Sequence, residues 1–101
     1  MFGWRVIRIV GNSMKPALRD GDFVLVCKHR RPKVTDVVLV SHPEYGLMVK
    51  RLIYQDRSDN DMQLAGDNAL SISSYHMGKL PSHAIIGIVR ICISKTAITR
   101  L

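Results

Sequence analysis

The run Asp36-Val37-Val38-Leu39-Val40-Ser41, followed past Pro43 and Gly46 by Leu47-Met48-Val49-Lys50-Arg51-Leu52-Ile53-Tyr54, decides the fold. Both stretches are rich in β-branched and large apolar side chains. Neither holds a 3.6-residue apolar period long enough for a helix. Short runs of this kind, bounded by Gly, Pro, Asn, Asp and Ser, read as strands. Working outward, the same reading predicts strands at Trp4–Val10, Asp22–Cys27, Met62–Ala65 and Ile85–Ile93. The polar stretch from Tyr54 to Asp61 reads as the turn between two of them. The one helical candidate is a single turn from Ser13 to Ala17, where Ser13 caps the turn and Pro16 is tolerated early in it. The expected fold is therefore all-β: a compact, mainly antiparallel sheet, closed or coiled on itself like a barrel.

The chain has 101 residues, so residues 1–101 read as one domain. Its hydrophobic fraction of 47% is ample for a core and excludes a disordered class. The net charge is +7, spread along the chain apart from one dense patch, Lys28-His29-Arg30-Arg31-Pro32-Lys33. That patch reads either as a solvated loop or as a contact for an anionic partner such as lipid headgroups. No nucleic acid is expected as a partner.

No stretch approaches the roughly 18 consecutive apolar residues of a membrane span. Arg5 and Arg8 interrupt the opening segment, which reads as neither signal peptide nor anchor. Phe2 and Trp4 are expected to pack into the core. Cys27 and Cys92 lie far apart without metal-ligand spacing and read as reduced core residues, which fits a reducing compartment. The expected location is the cytoplasm, with peripheral membrane contact as a second reading. His29, His42, His76 and His83 show no ligand spacing and read as loop or surface histidines. No metal and no other cofactor is called for.

Three further motifs carry chemistry. In Gly11-Asn12-Ser13-Met14-Lys15-Pro16-Ala17-Leu18 a serine sits in a tight turn, and Gly21-Asp22 then opens a strand. A serine hydroxyl needs a base to become a nucleophile. No Gly-x-Ser-x-Gly elbow and no histidine in a triad context supplies one. Lys50 is the alternative, because Leu47, Met48, Val49, Leu52 and Ile53 surround it. Roughly one lysine in a few thousand is neutral at pH 7, and burial raises that share by depressing the pKa. Strand alternation puts Lys50 on one face with Met48 and Leu52, and Arg51 on the other, where its charge reaches water. The third motif is Leu64-Ala65-Gly66-Asp67-Asn68, followed by Ser71-Ile72-Ser73-Ser74. It reads as a turn with side-chain-to-backbone hydrogen bonds, near enough in pattern to set a hydroxyl beside Lys50.

These motifs, in this order, resemble the serine–lysine peptidases of the type I signal peptidase and LexA-like group. Gly11 to Leu18 resembles the nucleophile turn, Val49-Lys50-Arg51 the general-base strand, and Gly66-Asp67-Asn68 with Ser71 the last box. The resemblance runs from about Gly11 to Val89. It implies Ser13 as nucleophile, Lys50 as general base and Ser71 as the serine that orients the lysine. It also implies that the backbone N–H of Ser13 forms part of an oxyanion hole, with Gly11 and Met14 as supporting neighbours. Where signal peptidases usually carry Ser-x-Asp-Ser-Arg, this chain has Ser71-Ile72-Ser73-Ser74-Tyr75, which removes an expected ion pair. The expected activity is that of an endopeptidase acting through an acyl-enzyme on a protein or peptide substrate. It is most similar to small maturation proteases such as those that trim nickel superoxide dismutase precursors. The alternative is a non-catalytic peptide- or partner-binding module on the same scaffold.

Overall fold

The computed structural model describes residues 3–28, 31–56, 61–68 and 79–101. The strands are β1 (Trp4–Arg8), β2 (Phe23–Cys27), β3 (Val37–His42), β4 (Gly46–Gln55), β5 (Asp61–Ala65), β6 (Leu80–Pro81), β7 (Ile85–Ile93) and β8 (Ile98–Arg100), with a short 3-10 turn at Ser82–Ala84. All pairings are antiparallel. They build one sheet in the order β1-β2-β7-β3-β4-β5-β6, with β8 alongside β7. Among the described residues β1 and β6 remain at opposite ends of this path, so the sheet is open rather than closed. Its register shifts at Leu25/Val26, Leu39/Val40 and Leu52/Tyr54. Such bulges bend a strand and increase its twist.

Strand β3 shows why the sequence folds this way. Val37, Val38, Leu39 and Val40 are all buried, on alternating faces. Val37 and Leu39 join a core of Ile9, Met14, Leu18, Val24, Val26, Val89 and Cys92. Val38 and Val40 join a second core of Leu52, Met62, Leu64, Leu80 and Ile88. A strand covered on both faces needs a continuous apolar run, which is what 37–40 supplies. Fully burying each such aliphatic side chain stabilises the fold by roughly 1.5–3 kcal/mol.

At Gly87, where β7 crosses both β2 and β3, no side chain fits. A Cβ there would lie 2.6 Å from Val26 Cγ1 and 2.7 Å from the Cys27 carbonyl oxygen. Close backbone approach is the reason for glycine inside this strand.

Several expectations are corrected. Trp4 does not enter the core; it is 53% exposed, because β1 ends the sheet and only one of its faces is covered. Cys27, opposite Trp4 in the register, is half-buried, whereas Cys92 belongs to the core. His42 is a buried residue, not a surface one, and its Nδ1 accepts the backbone N–H groups of Glu44 (3.0 Å) and Tyr45 (3.1 Å). Residues 13–17 are turn, with one helix-like bond from Leu18 N–H to the Met14 carbonyl and no continuing helix. Strands β6 and β8 were not foreseen; one holds two residues including Pro81, the other three exposed residues. Phe2, His29, Arg30, His76 and the loop centre 57–60 lie outside the described residues. Of the basic patch, Lys28, Arg31 and Lys33 are exposed. Among the described residues, no helix is long and apolar enough to cross a membrane.

Candidate active site

The loop between β1 and β2 carries Ser13. Its base is closed by Ile9 N–H to the Asp22 carbonyl (2.7 Å) and Gly21 N–H to the Ile9 carbonyl (2.8 Å). Two carboxylates then capture loop amides: Asp20 Oδ1 accepts from Gly11 N–H (2.7 Å) and Asp22 Oδ2 from Arg19 N–H (3.0 Å). Such side-chain-to-backbone bonds compete with helical ones, which is why the segment stops at single turns. Lys15 N–H bonds the Asn12 carbonyl (3.2 Å) and Leu18 N–H the Met14 carbonyl (2.9 Å). The Lys15–Pro16 peptide is cis. Gly11 adopts a φ of +86°, a conformation that glycine takes without Cβ strain. Met14 and Leu18 anchor the loop by burying their side chains in the first core. Ser13 is left half-buried between these two anchors and the solvent.

Lys50 lies on β4 directly opposite Val38, with Met48 and Leu52 two residues to either side. It is only 4% exposed. Burial disfavours its ammonium form and lowers its pKa from the ordinary lysine value.

Ser13 and Lys50 line one cleft of about 460 Å³. Ile7 to Val10, Ser13 and Met14 form one wall. Leu39, Tyr45 and Leu47 to Lys50 form the other. Among the described residues, both walls include strand edges with no ladder partner. Among these residues β1 pairs with β2 alone. The described pairing of β4 with β5 starts at Arg51, so among the described residues 47–50 has β3 on one side and the cleft on the other. Among the described residues no hydrogen bond joins Ser13 Oγ to Lys50 Nζ.

Arg51 is partly exposed, as expected, and is also held by partners that the sequence did not indicate. Its guanidinium grips Asp67 through two bonds, Nε to Oδ1 and Nη2 to Oδ2, both 2.8 Å, and its Nη1 donates to the Thr35 carbonyl (2.7 Å). The hydrogen bond to Asp67 raises the Arg51 pKa above its usual value. The next residue, Asn68, reaches the serine loop: its N–H donates to the Ser13 carbonyl (2.8 Å) and its Nδ2 to the Asn12 carbonyl (2.9 Å). The sequence marked Gly66-Asp67-Asn68 as a hydrogen-bonded turn but gave no partner. The partner of Asn68 lies 56 residues earlier, a separation no local pattern reports. Ser71, expected beside Lys50, lies outside the described residues, as do Ser73 and Ser74.

The antiparallel sheet thus carries a serine turn and a buried strand lysine on one cleft. Residues 4–90 match the family described as Peptidase S24-like, and the chain belongs to that family. Signal peptidase I from two strains of Streptococcus pneumoniae is 42% identical over 55 residues. That segment is 52% of this chain and 26% of the relative, so the likeness spans about a quarter of the relative's length.

Proposed function

We propose that the protein is a serine endopeptidase that uses Ser13 and Lys50 to cut a precursor or a signal- or propeptide-like segment. One observation carries the reading: Ser13 and a buried lysine of lowered pKa line a single cleft between two strand edges that are unpaired among the described residues. A peptide entering that cleft in extended form finds backbone donors and acceptors on both sides, the mode of strand addition. Apolar walls from Ile7, Ile9, Leu39, Leu47 and Val49 receive its side chains.

In this mechanism neutral Lys50 takes the Ser13 proton as Oγ attacks the scissile carbonyl carbon. The carbonyl π pair moves onto oxygen. The tetrahedral species then collapses, the C–N bond breaks, and the Lys50 ammonium returns its proton to the leaving amine. Lys50, neutral again, deprotonates a water that attacks the acyl carbon; the C–Oγ bond breaks, and the Lys50 ammonium returns the proton to Ser13 Oγ. Ser71 orients the lysine amine in this scheme.

The test is labelling by an electrophilic serine probe, combined with mass-spectrometric reading of cuts in a peptide library. Labelling at Ser13, lost in Ser13→Ala and in Lys50→Met, is the expected result. Members of one catalytic unit are not additive, so the double variant should be little worse than either single one. Folded wild-type protein that binds peptides but neither labels nor cuts would make this a binding module instead.

A further inference from the structure

Asn68 makes contacts with the serine loop that the proposed dyad does not explain. Its side chain holds the carbonyl of Asn12, and its main chain holds the carbonyl of Ser13. A peptide group is planar and trans, so its C=O and N–H point in opposite directions. The carbonyl of Asn12 belongs to the same peptide as the N–H of Ser13. The carbonyl of Ser13 belongs to the same peptide as the N–H of Met14. Gripping those two carbonyls from behind therefore fixes where the two N–H bonds aim.

Two amides of the same loop are already engaged. Gly11 N–H donates to Asp20, and Lys15 N–H donates to the Asn12 carbonyl. Ser13 and Met14 both line the cleft, and their N–H groups donate to no other group among the described residues. The Asn12 carbonyl receives two donors, Lys15 N–H at 3.2 Å and Asn68 Nδ2 at 2.9 Å, so both its lone pairs are occupied and its plane is held.

We infer that Asn68 is a positioning residue that sets the oxyanion hole, aiming the N–H groups of Ser13 and Met14 at the oxygen of the reacting carbonyl. The inference rests on the peptidase reading above and deepens it. Donors fixed in advance stabilise the developing oxyanion without having to reorganise during the reaction. The clamp is itself anchored. Asp67, one residue before Asn68, is locked to Arg51, one residue after Lys50. One strand thus fixes the base directly and the hole through the Asp67-Asn68 turn.

The test uses Asn68→Ala, which removes the side-chain grip on the Asn12 carbonyl and keeps the main-chain bond. Asn68→Asp keeps the shape but turns the donor into an acceptor facing a carbonyl oxygen. Loss of a whole oxyanion donor lowers kcat by roughly a hundred- to a thousandfold. Loosening one donor should lower it by roughly ten- to a hundredfold, with KM unchanged. Affinity for a peptide boronate, which mimics the tetrahedral species, should fall by the same factor as kcat/KM. Affinity for a non-cleavable peptide of the same sequence should not change. Circular dichroism checks the folds, and Asn68→Asp is the variant read if Asn68→Ala does not fold.

Wild-type kcat in both variants overturns the inference. An equal loss of boronate and non-cleavable peptide affinity also overturns it, because that is the mark of a merely structural role. Ser13→Ala is assayed in parallel: a probe that labels wild type and not Ser13→Ala upholds the peptidase reading, so a flat Asn68 series then counts against the clamp alone.

Discussion

Replacing Asp67 by alanine strips the Arg51 guanidinium of two acceptors, each at 2.8 Å, and leaves it only the Thr35 carbonyl. The side chains of the pair are 32% and 20% exposed. That places the pair between two measured regimes. Exposed ion pairs contribute about 0.2–1 kcal/mol, and breaking a fully buried pair costs about 3–5 kcal/mol. Partial solvent screening and bidentate geometry together put Asp67→Ala at about 1–2 kcal/mol. In a domain of this size each kcal/mol moves the midpoint by about 4–8 °C, so unfolding should begin roughly 5–15 °C lower. The assay is thermal unfolding followed by circular dichroism, run as a double-mutant cycle with Arg51→Met. The coupling energy should be about 1 kcal/mol and should largely survive added salt, since shielded pairs are screened less than exposed ones. A coupling below about 0.3 kcal/mol would refute the reasoning, because that is the level at which separate sites simply add. Peptide cleavage should fall in Asp67→Ala as well, since the Asn68 turn loses its anchor on β4.

Lys50 links activity and stability to pH with a definite sign. Its folded pKa lies below its unfolded value because burial disfavours the ammonium. Between the two values the unfolded chain binds more protons, so stability rises with pH through that window and the full penalty lies below the folded pKa. Cleavage should rise with pH through the same folded pKa, and Lys50→Met should raise the unfolding midpoint near neutral pH while abolishing cleavage; a lowered midpoint would sink the assignment. Gly87→Ala forces a Cβ against Val26 and the Cys27 carbonyl, and urea titration should show a loss of roughly 1–3 kcal/mol or more, as overpacking does. Cys92 is buried and bonded to Asp22, and its thiol is pushed up to about 11. Iodoacetamide at neutral pH should therefore alkylate half-buried Cys27 first and Cys92 only on unfolding, a ranking that peptide mapping would reverse if the packing were otherwise.

Local pattern carried the strands because burial on one or both faces writes itself into alternation and apolar runs. Strand β7 was read at its true bounds, Ile85–Ile93, and β2, β3, β4 and β5 within a residue or two. The misses have common causes. The exposure of Trp4 follows from β1 being an end strand of the described sheet, a fact of topology rather than of sequence. The absence of ligand spacing says nothing of burial at His42, whose ring nitrogen orders the turn that follows. Ser13, Lys50 and the Gly66-Asp67-Asn68 turn were each visible as motifs. What joins them was not: the grips of Arg51 on Asp67 and of Asn68 on the serine loop span 16 and 56 residues, and each uses polar groups common on any loop.

The open edge of β4 has a consequence beyond this one cleft. Among the described residues its 47–50 segment has no ladder partner on the cleft side, and a strand edge of that kind discriminates poorly, because every polypeptide carries the same backbone. Another copy of the chain, offering its own bare β1 edge, is a competitor for the slot. The net charge of +7 keeps copies apart at low ionic strength, and salt weakens that repulsion. High salt and high protein concentration should therefore act together as a self-inhibitor of the cleft, and a short peptide that fills it should also keep the protein in solution.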